Sequence, residues 1–234
     1  MAGSVAPNIV TDGLVLYLDA SNTKSYISGS TTWNDVSRSG NNGTLTNGPT
    51  FNSTNGGSIV FDGTNDYINV AGGGGLSGAS NGTIDIWVKW VSTSQPVGYS
   101  LAYGPICARQ SNAVFSNNII CLNGANPTTS KVTVRMTNAV SNTLTSTSNA
   151  GLDWVNLIVT FSPTSTNLYF NSSLQNTTTG VSLSSGNSPL TLGAWIDAGV
   201  GYSNSNIGSF KIYNRSLSAS EVLQNYNATK RRYL

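Results

Sequence analysis

Short runs of Val, Ile, Leu and aromatic residues, each closed off by Gly, Asn, Pro or Ser, recur along the whole chain and restrict its fold more than any other feature. LVLYLDA, SIVFDG, DYINVA, TIDIWVKW, KVTVRMT, VNLIVTF, NLYFN, LTLGAW and GSFKIYN all have the length and the β-branched or aromatic content of strands. In TIDIWVKW, Ile84, Ile86, Val88 and Trp90 fall on one face, and Thr83, Asp85, Trp87 and Lys89 on the other. The first face is expected to pack in a core and the second to be amphipathic, with Asp85 facing solvent or a neighbouring lysine. Strands of this spacing predict an antiparallel sandwich, and 234 residues suffice for one domain with a sizeable core.

The expected exception to the β pattern is LSASEVLQNYNATK, a short C-terminal helix. Ser218 followed by Glu221 is a capping box, and Val222, Leu223 and Tyr226 supply an apolar stripe at helical spacing. Glu221 is the chain's one glutamate, and the box assigns it a structural task at the positive end of the helix dipole. AGGGGLSGASNG, between two strands, reads as a rim loop. The boundaries that follow are an N-terminal arm over 1–12, one domain over 13–229 and a solvated basic tail, Lys230, Arg231 and Arg232, within 230–234.

Composition removes several chemistries. Charged residues make up 9% of the chain and the net charge is +2, without the clustered basic stripe that nucleic-acid binding needs. With no histidine, Ser-His-Asp and Cys-His machinery and imidazole zinc ligation are excluded. No apolar run is long enough to insert in a membrane, and MAGSVAPNIVTDG has no secretory-signal pattern. Cys107 and Cys121 lie in apolar runs that suit one hairpin, either as buried thiols or as a bridge.

Three candidate sites remain. FDGTNDY reads as a hairpin in which either Asp62-Gly63 and Asn65 make the turn by side-chain to backbone hydrogen bonds, or Asp62, Asn65 and Asp66 supply oxygens to calcium; no other cofactor is expected. The same two aspartates are the carboxylate pair a glycoside hydrolase would use. Trp33, Trp195 and Tyr202 lie in polar stretches and are candidates for stacking on sugar rings, or else half-buried aromatics closing the sandwich edge.

SIVFDGTNDYINV, GTIDIWVKW, DWVNLIVTFSPTSTNLYFNSS, PLTLGAW and GSFKIYNRSLSASEVLQNYNATK, in that order, resemble the motifs of the laminin-G-like, concanavalin A-like jelly-roll superfamily. The resemblance implies an all-β antiparallel jelly-roll sandwich with one short C-terminal helix, and carbohydrate or protein binding more often than catalysis. One departure is Asn171-Ser172, where the family has Asn-Gly after the LYF strand. The chain is also similar to structural proteins of bacteriophage particles. That implies a non-enzymatic protein of the virion surface, either a capsid decoration or an adsorption component. Its partners would be other virion proteins, a symmetric oligomer of itself, or cell-surface glycans. The alternatives are a cellular carbohydrate-binding lectin and, third, a glycoside hydrolase.

Overall fold

The computed structural model describes residues 7–91, 105–109, 120–123, 131–136, 143–181, 183, 189–194 and 201–234. In chain order the strands are β1 (Leu14–Asp19), β2 (Thr32–Trp33), β3 (Gly43–Thr46), β4 (Thr50–Asn52), β5 (Ser58–Asp62), β6 (Tyr67–Val70), β7 (Gly82–Trp90) and β8 (Pro105–Arg109). They continue with β9 (Ile120–Asn123), β10 (Thr133–Arg135), β11 (Thr143–Thr145), β12 (Val155–Phe161), β13 (Ser165–Phe170), β14 (Ser173–Thr179), β15 (Leu190–Leu192) and β16 (Asn204–Tyr213). The helix α1 spans Ala219–Thr229.

Among the described residues these strands form two eight-stranded sheets, antiparallel in every pairing. The first runs β14-β13-β12-β7-β16-β5-β4, with β1 also on β16; the second runs β11-β10-β9-β8-β15-β6-β3-β2. Strand β16 is central: β7 lies along one side, and β5 followed by β1 along the other. Alternation decides what faces inward. Ile84, Ile86 and Val88 of β7, Leu157 and Val159 of β12, and Phe210 and Ile212 of β16 meet Ile68, Val134, Leu190 and Leu192 of the second sheet in one core. All of these are fully buried. At roughly 1.5–3 kcal/mol per buried large apolar side chain, this interior is the main source of stability.

FDGTNDY is not a hairpin. β5 pairs within the first sheet and β6 within the second, so the segment is a corner that carries the chain across the sandwich. At Asp62 the turn chemistry is the expected one, with the Thr64 N–H donating to Asp62 Oδ1 (2.7 Å); Asp66 adds a second bond, its Oδ2 accepting the Asp62 N–H (3.2 Å). Such a turn reverses the chain whether or not the flanking strands pair with each other.

The outer face of the first sheet is covered rather than amphipathic. Thr83, Asp85 and Trp87 are buried, and the N-terminal segment, α1 and residues 230–234 lie over this face. The N–H of Val10 donates to Asn225 Oδ1 (2.8 Å), Tyr213 Oη donates to the Val10 carbonyl (3.0 Å), and Gln224 holds the Asn8 carbonyl (2.8 Å). Residues 8–12 are therefore docked and are not a separate arm. The basic tail is docked too. Lys230–Arg232 form a 3-10 turn, Arg232 places its fork on Asp19 (2.9 and 3.0 Å), and the Tyr233 ring stacks on Trp87 with centroids 4.3 Å apart. Gly208 makes room for that ring, because a Cβ there would lie 2.4 Å from Tyr233 Oη.

The capping box forms as expected: Ser218 Oγ accepts the Glu221 N–H and Glu221 Oε2 accepts the Ser218 N–H (2.8 Å). Arg215 adds a fork on Glu221 (2.6 and 3.0 Å) and an ion pair with Asp12 (2.8 Å). Through that pairing and the hydrogen bonds of the cap, the Glu221 carboxyl is held down to about 2.

AGGGG is not a loose rim loop. Gly72, Gly73, Gly74 and Gly75 all have φ between 61° and 76°, a left-handed run that four successive residues with a Cβ would adopt only at a cost. Gly74 is buried, where a Cβ would lie 2.6 Å from Ile212 and 2.7 Å from Leu190. Finally, β8 and β9 do pair, but Cys107 is opposite Leu122 and Cys121 opposite Ala108, so the two cysteines are not cross-strand partners. Cys107 is buried.

Candidate functional site

Of the expected aromatic set, Trp33 and Tyr202 lie among the described residues. Trp33 is fully buried, edge-on to Tyr26 at 6.4 Å between centroids, and has no face to offer a sugar. The polar stretch around it misleads because Tyr26, itself buried, closes over the ring and packs in turn on Phe51. Tyr202 is half-buried in an isolated bridge to Ala194. Trp195 lies outside the described residues.

The acidic corner is engaged internally. Asp66 is buried, and burial pushes its carboxyl up, partly offset by the Asp62 N–H. The Asn65 carbonyl accepts from Asn47 Nδ2 (2.9 Å). Three oxygens that calcium would need therefore already accept N–H donors, and calcium takes six to eight. Among the described residues there is no group of three or more Asp, Glu, His or Cys side chains placed to hold a metal ion.

A groove of about 380 Å³ opens where the outermost described strands of the two sheets, β11 and β14, approach each other. Its walls are the loop before β12, the β13–β14 turn and Leu234. Trp154 and Phe170, both buried, form the floor; Ser148, Asn149, Asn171, Ser173 and Gln175 supply amide and hydroxyl groups. Asp153, which is exposed, is the one charged side chain among the described lining residues.

Local structure fixes this rim. Gln175 Oε1 accepts both Thr147 Oγ1 and the Ser148 N–H (2.8 Å each), pinning the loop to β14. Asn176 Nδ2 holds the Thr145 carbonyl (3.0 Å), and Lys131 Nζ holds the Thr147 carbonyl. On the other wall, Asn171 and Ser172 have φ of 46° and 67°, a two-residue hairpin turn with both central residues left-handed. Asn171 Oδ1 accepts the Asn156 N–H (2.9 Å), which sets the turn against the start of β12. Trp154 packs on Tyr233, with ring centroids 4.8 Å apart. An aromatic floor with a rim of amides, two hydroxyls and one acidic side chain offers apolar contact and directed hydrogen bonds to a polyhydroxylated ligand.

Solved structures with the same fold include domain 4 of an extracellular arabinanase from Geobacillus stearothermophilus, in complex with arabinotriose. It is 15% identical, with a TM-score of 0.67 over 91% of this chain and 98% of that one. The binding domain of botulinum neurotoxin DC in complex with SialylT is 13% identical, with a TM-score of 0.68 over 94% of this chain and 52% of that one. The Trypanosoma rangeli sialidase is 14% identical, with a TM-score of 0.67 over 94% of this chain and 33% of that one. The chain thus spans nearly all of the arabinanase domain, about half of the neurotoxin domain and a third of the sialidase. No curated protein matches the sequence. The profile of the concanavalin A-like lectin/glucanases superfamily, in its laminin-G form, matches residues 62–223. With that match across most of the chain and a two-sheet fold to accompany it, the protein belongs to the concanavalin A-like lectin/glucanase superfamily.

Proposed function

We propose that this chain is a non-catalytic carbohydrate-binding jelly roll, and that the groove at Trp154 and Asp153 takes a neutral oligosaccharide. The observation that carries the reading is the groove's composition: two aromatic residues beneath, five uncharged polar side chains around, and a single acidic side chain. Arabinotriose in the arabinanase domain and SialylT in the neurotoxin domain are consistent with glycan binding on this fold. The lone Asp153 carboxylate favours neutral over acidic sugars by like-charge repulsion. The engagement of Asp62 and Asp66 with backbone N–H groups supports a binding role over the hydrolase alternative.

Titration calorimetry against neutral and sialylated oligosaccharides tests this. Binding of a neutral member is expected, weakened about 10–100-fold by Asp153→Ala, because a hydrogen bond to a charged group is worth ~1.5–3 kcal/mol. Millimolar binding by no member of the panel, or full affinity in the variant, overturns the assignment. The proposal includes display on a virion surface, beside other virion proteins or further copies of this chain. Mass spectrometry of purified particles tests that placement separately, and absence from them leaves a cellular lectin.

A further inference from the structure

Beneath α1 lies a cluster that glycan binding does not use. Lys211 (β16), Asp85 (β7) and Asn225 (α1) are each at most 1% exposed. Lys211 and Asp85 are cross-strand partners, with Nζ 3.3 Å from Asp85 Oδ2. The same oxygen accepts Asn225 Nδ2 at 3.0 Å, so one carboxylate oxygen bridges the lysine amine and the asparagine amide. The amide is gripped at its other atoms: its Oδ1 accepts the Val10 N–H (2.8 Å), and its Nδ2 also donates to Tyr213 Oη (2.9 Å). Asn156 Nδ2 occupies the second oxygen of Asp85 (2.8 Å), and the Tyr17 ring lies 5.4 Å from Nζ.

A buried ion pair held only for stability gains little over an apolar pair, because desolvation offsets the attraction. This one carries in addition the parts of an acyl transfer. They are a nucleophilic amine, a carboxylate touching both amine and leaving group, and an N–H donor on the oxygen where negative charge develops. We propose that Lys211 and Asn225 form an intramolecular amide crosslink, with Asp85 as the proton carrier.

The step balances without a co-reactant. Asp85 Oδ2 takes a proton from the Lys211 ammonium, and the freed Nζ lone pair forms a bond to Asn225 Cγ. The Val10 N–H stabilises the oxyanion. Asp85 delivers its proton to Nδ2 and takes one from the newly bonded, cationic Nζ. The Cγ–Nδ2 bond breaks as the carbonyl re-forms, ammonia departs and takes the proton from Asp85 to leave as ammonium, and the carboxylate is regenerated beside a new Nζ–Cγ amide. Holding both groups on one oxygen supplies the proximity an uncatalysed amide exchange lacks. The product ties α1 covalently to the centre of the first sheet.

Intact-mass spectrometry of the folded full-length chain, followed by proteolysis, tests the proposal. The expected result is a mass one ammonia below that of the sequence, with a branched peptide joining Lys211 to Asn225. Lys211→Arg, which keeps the charge, and Asn225→Ala are each expected to show the full mass of their own sequence. A parent at full sequence mass after prolonged incubation overturns the proposal without reliance on any variant. Ammonia loss that persists in Lys211→Arg overturns it as well, by assigning the loss to succinimide formation at another asparagine.

Discussion

Replacing Arg232 by Met keeps most of the side chain's packing and removes its fork from Asp19. Asp19 is nearly buried and accepts the fork at 2.9 and 3.0 Å, together with Tyr17 Oη (2.8 Å) and the Ser21 N–H (3.0 Å). Breaking a fully buried pair by deleting one partner costs about 3–5 kcal/mol. Arg232 retains a quarter of its side-chain exposure and Asp19 keeps its other donors, so solvent screening reduces the expected loss to about 2–3 kcal/mol. For a chain of this size each kcal/mol moves the melting temperature by roughly 2–4 °C, so Arg232→Met is expected to melt ~4–12 °C lower at pH 7. The pH dependence gives a second signature. Burial raises the Asp19 carboxyl, but Arg232 and the hydrogen bonds outweigh it and hold the group below its ordinary value. In the parent that stabilisation is complete above the unfolded value of about 3.9 and is lost as pH falls through the lowered folded value. In the variant, burial acts with the chief opposing charge removed, and protonation relieves the cost. The gap between the two proteins should therefore narrow from pH 7 to pH 3. Calorimetric melts across that range measure it, and a variant that melts with the parent at pH 7 refutes the structural role of the tail.

Ser172→Gly is expected to stabilise the protein by about 0.5–1 kcal/mol in denaturant unfolding, because φ of 67° costs a side chain more than glycine loses in chain entropy. Gly74→Ala is expected to destabilise by about 2–4 kcal/mol in the same assay, since it combines a left-handed φ with contacts on Ile212 and Leu190. Glu221, held down to about 2, stabilises α1 above the unfolded value of about 4.3 and stops doing so as pH falls toward 2. Protection of the 219–229 amides, taken relative to their intrinsic exchange at each pH, should fall across that window in the parent, and Glu221→Gln should remove that fall.

What was legible in the sequence was local. The capping box needs only residues 218 and 221, and strand alternation in TIDIWVKW needs only eight consecutive positions. Ladder partners across the sandwich leave no such trace. Asp62 and Asp66 build the same turn in a corner as in a hairpin, so the turn alone could not reveal that β5 and β6 part company. The fate of Arg232 is decided by Asp19, 213 positions away, and that of Trp33 by the Tyr26 ring that packs edge-on against it. The groove gathers its lining from residues 148–155, 170–175 and 234, segments with no shared pattern. A local signal was nevertheless present in Asn171-Ser172, where two left-handed residues turn the chain beside Trp154.

The placement of β16 also dictates when the fold can assemble. Residues 204–213 pair with β7, β5 and β1, so a growing chain has no centre to its first sheet until they have been made. Until then those strands carry unmatched backbone edges, and the first to be synthesised, β1, waits for a partner nearly at the other end of the chain. Such long loop closures make assembly slow, on a scale of milliseconds to seconds or beyond. A nascent chain interrupted before residue 204 is left with open edges and a divided core, the form most prone to aggregate.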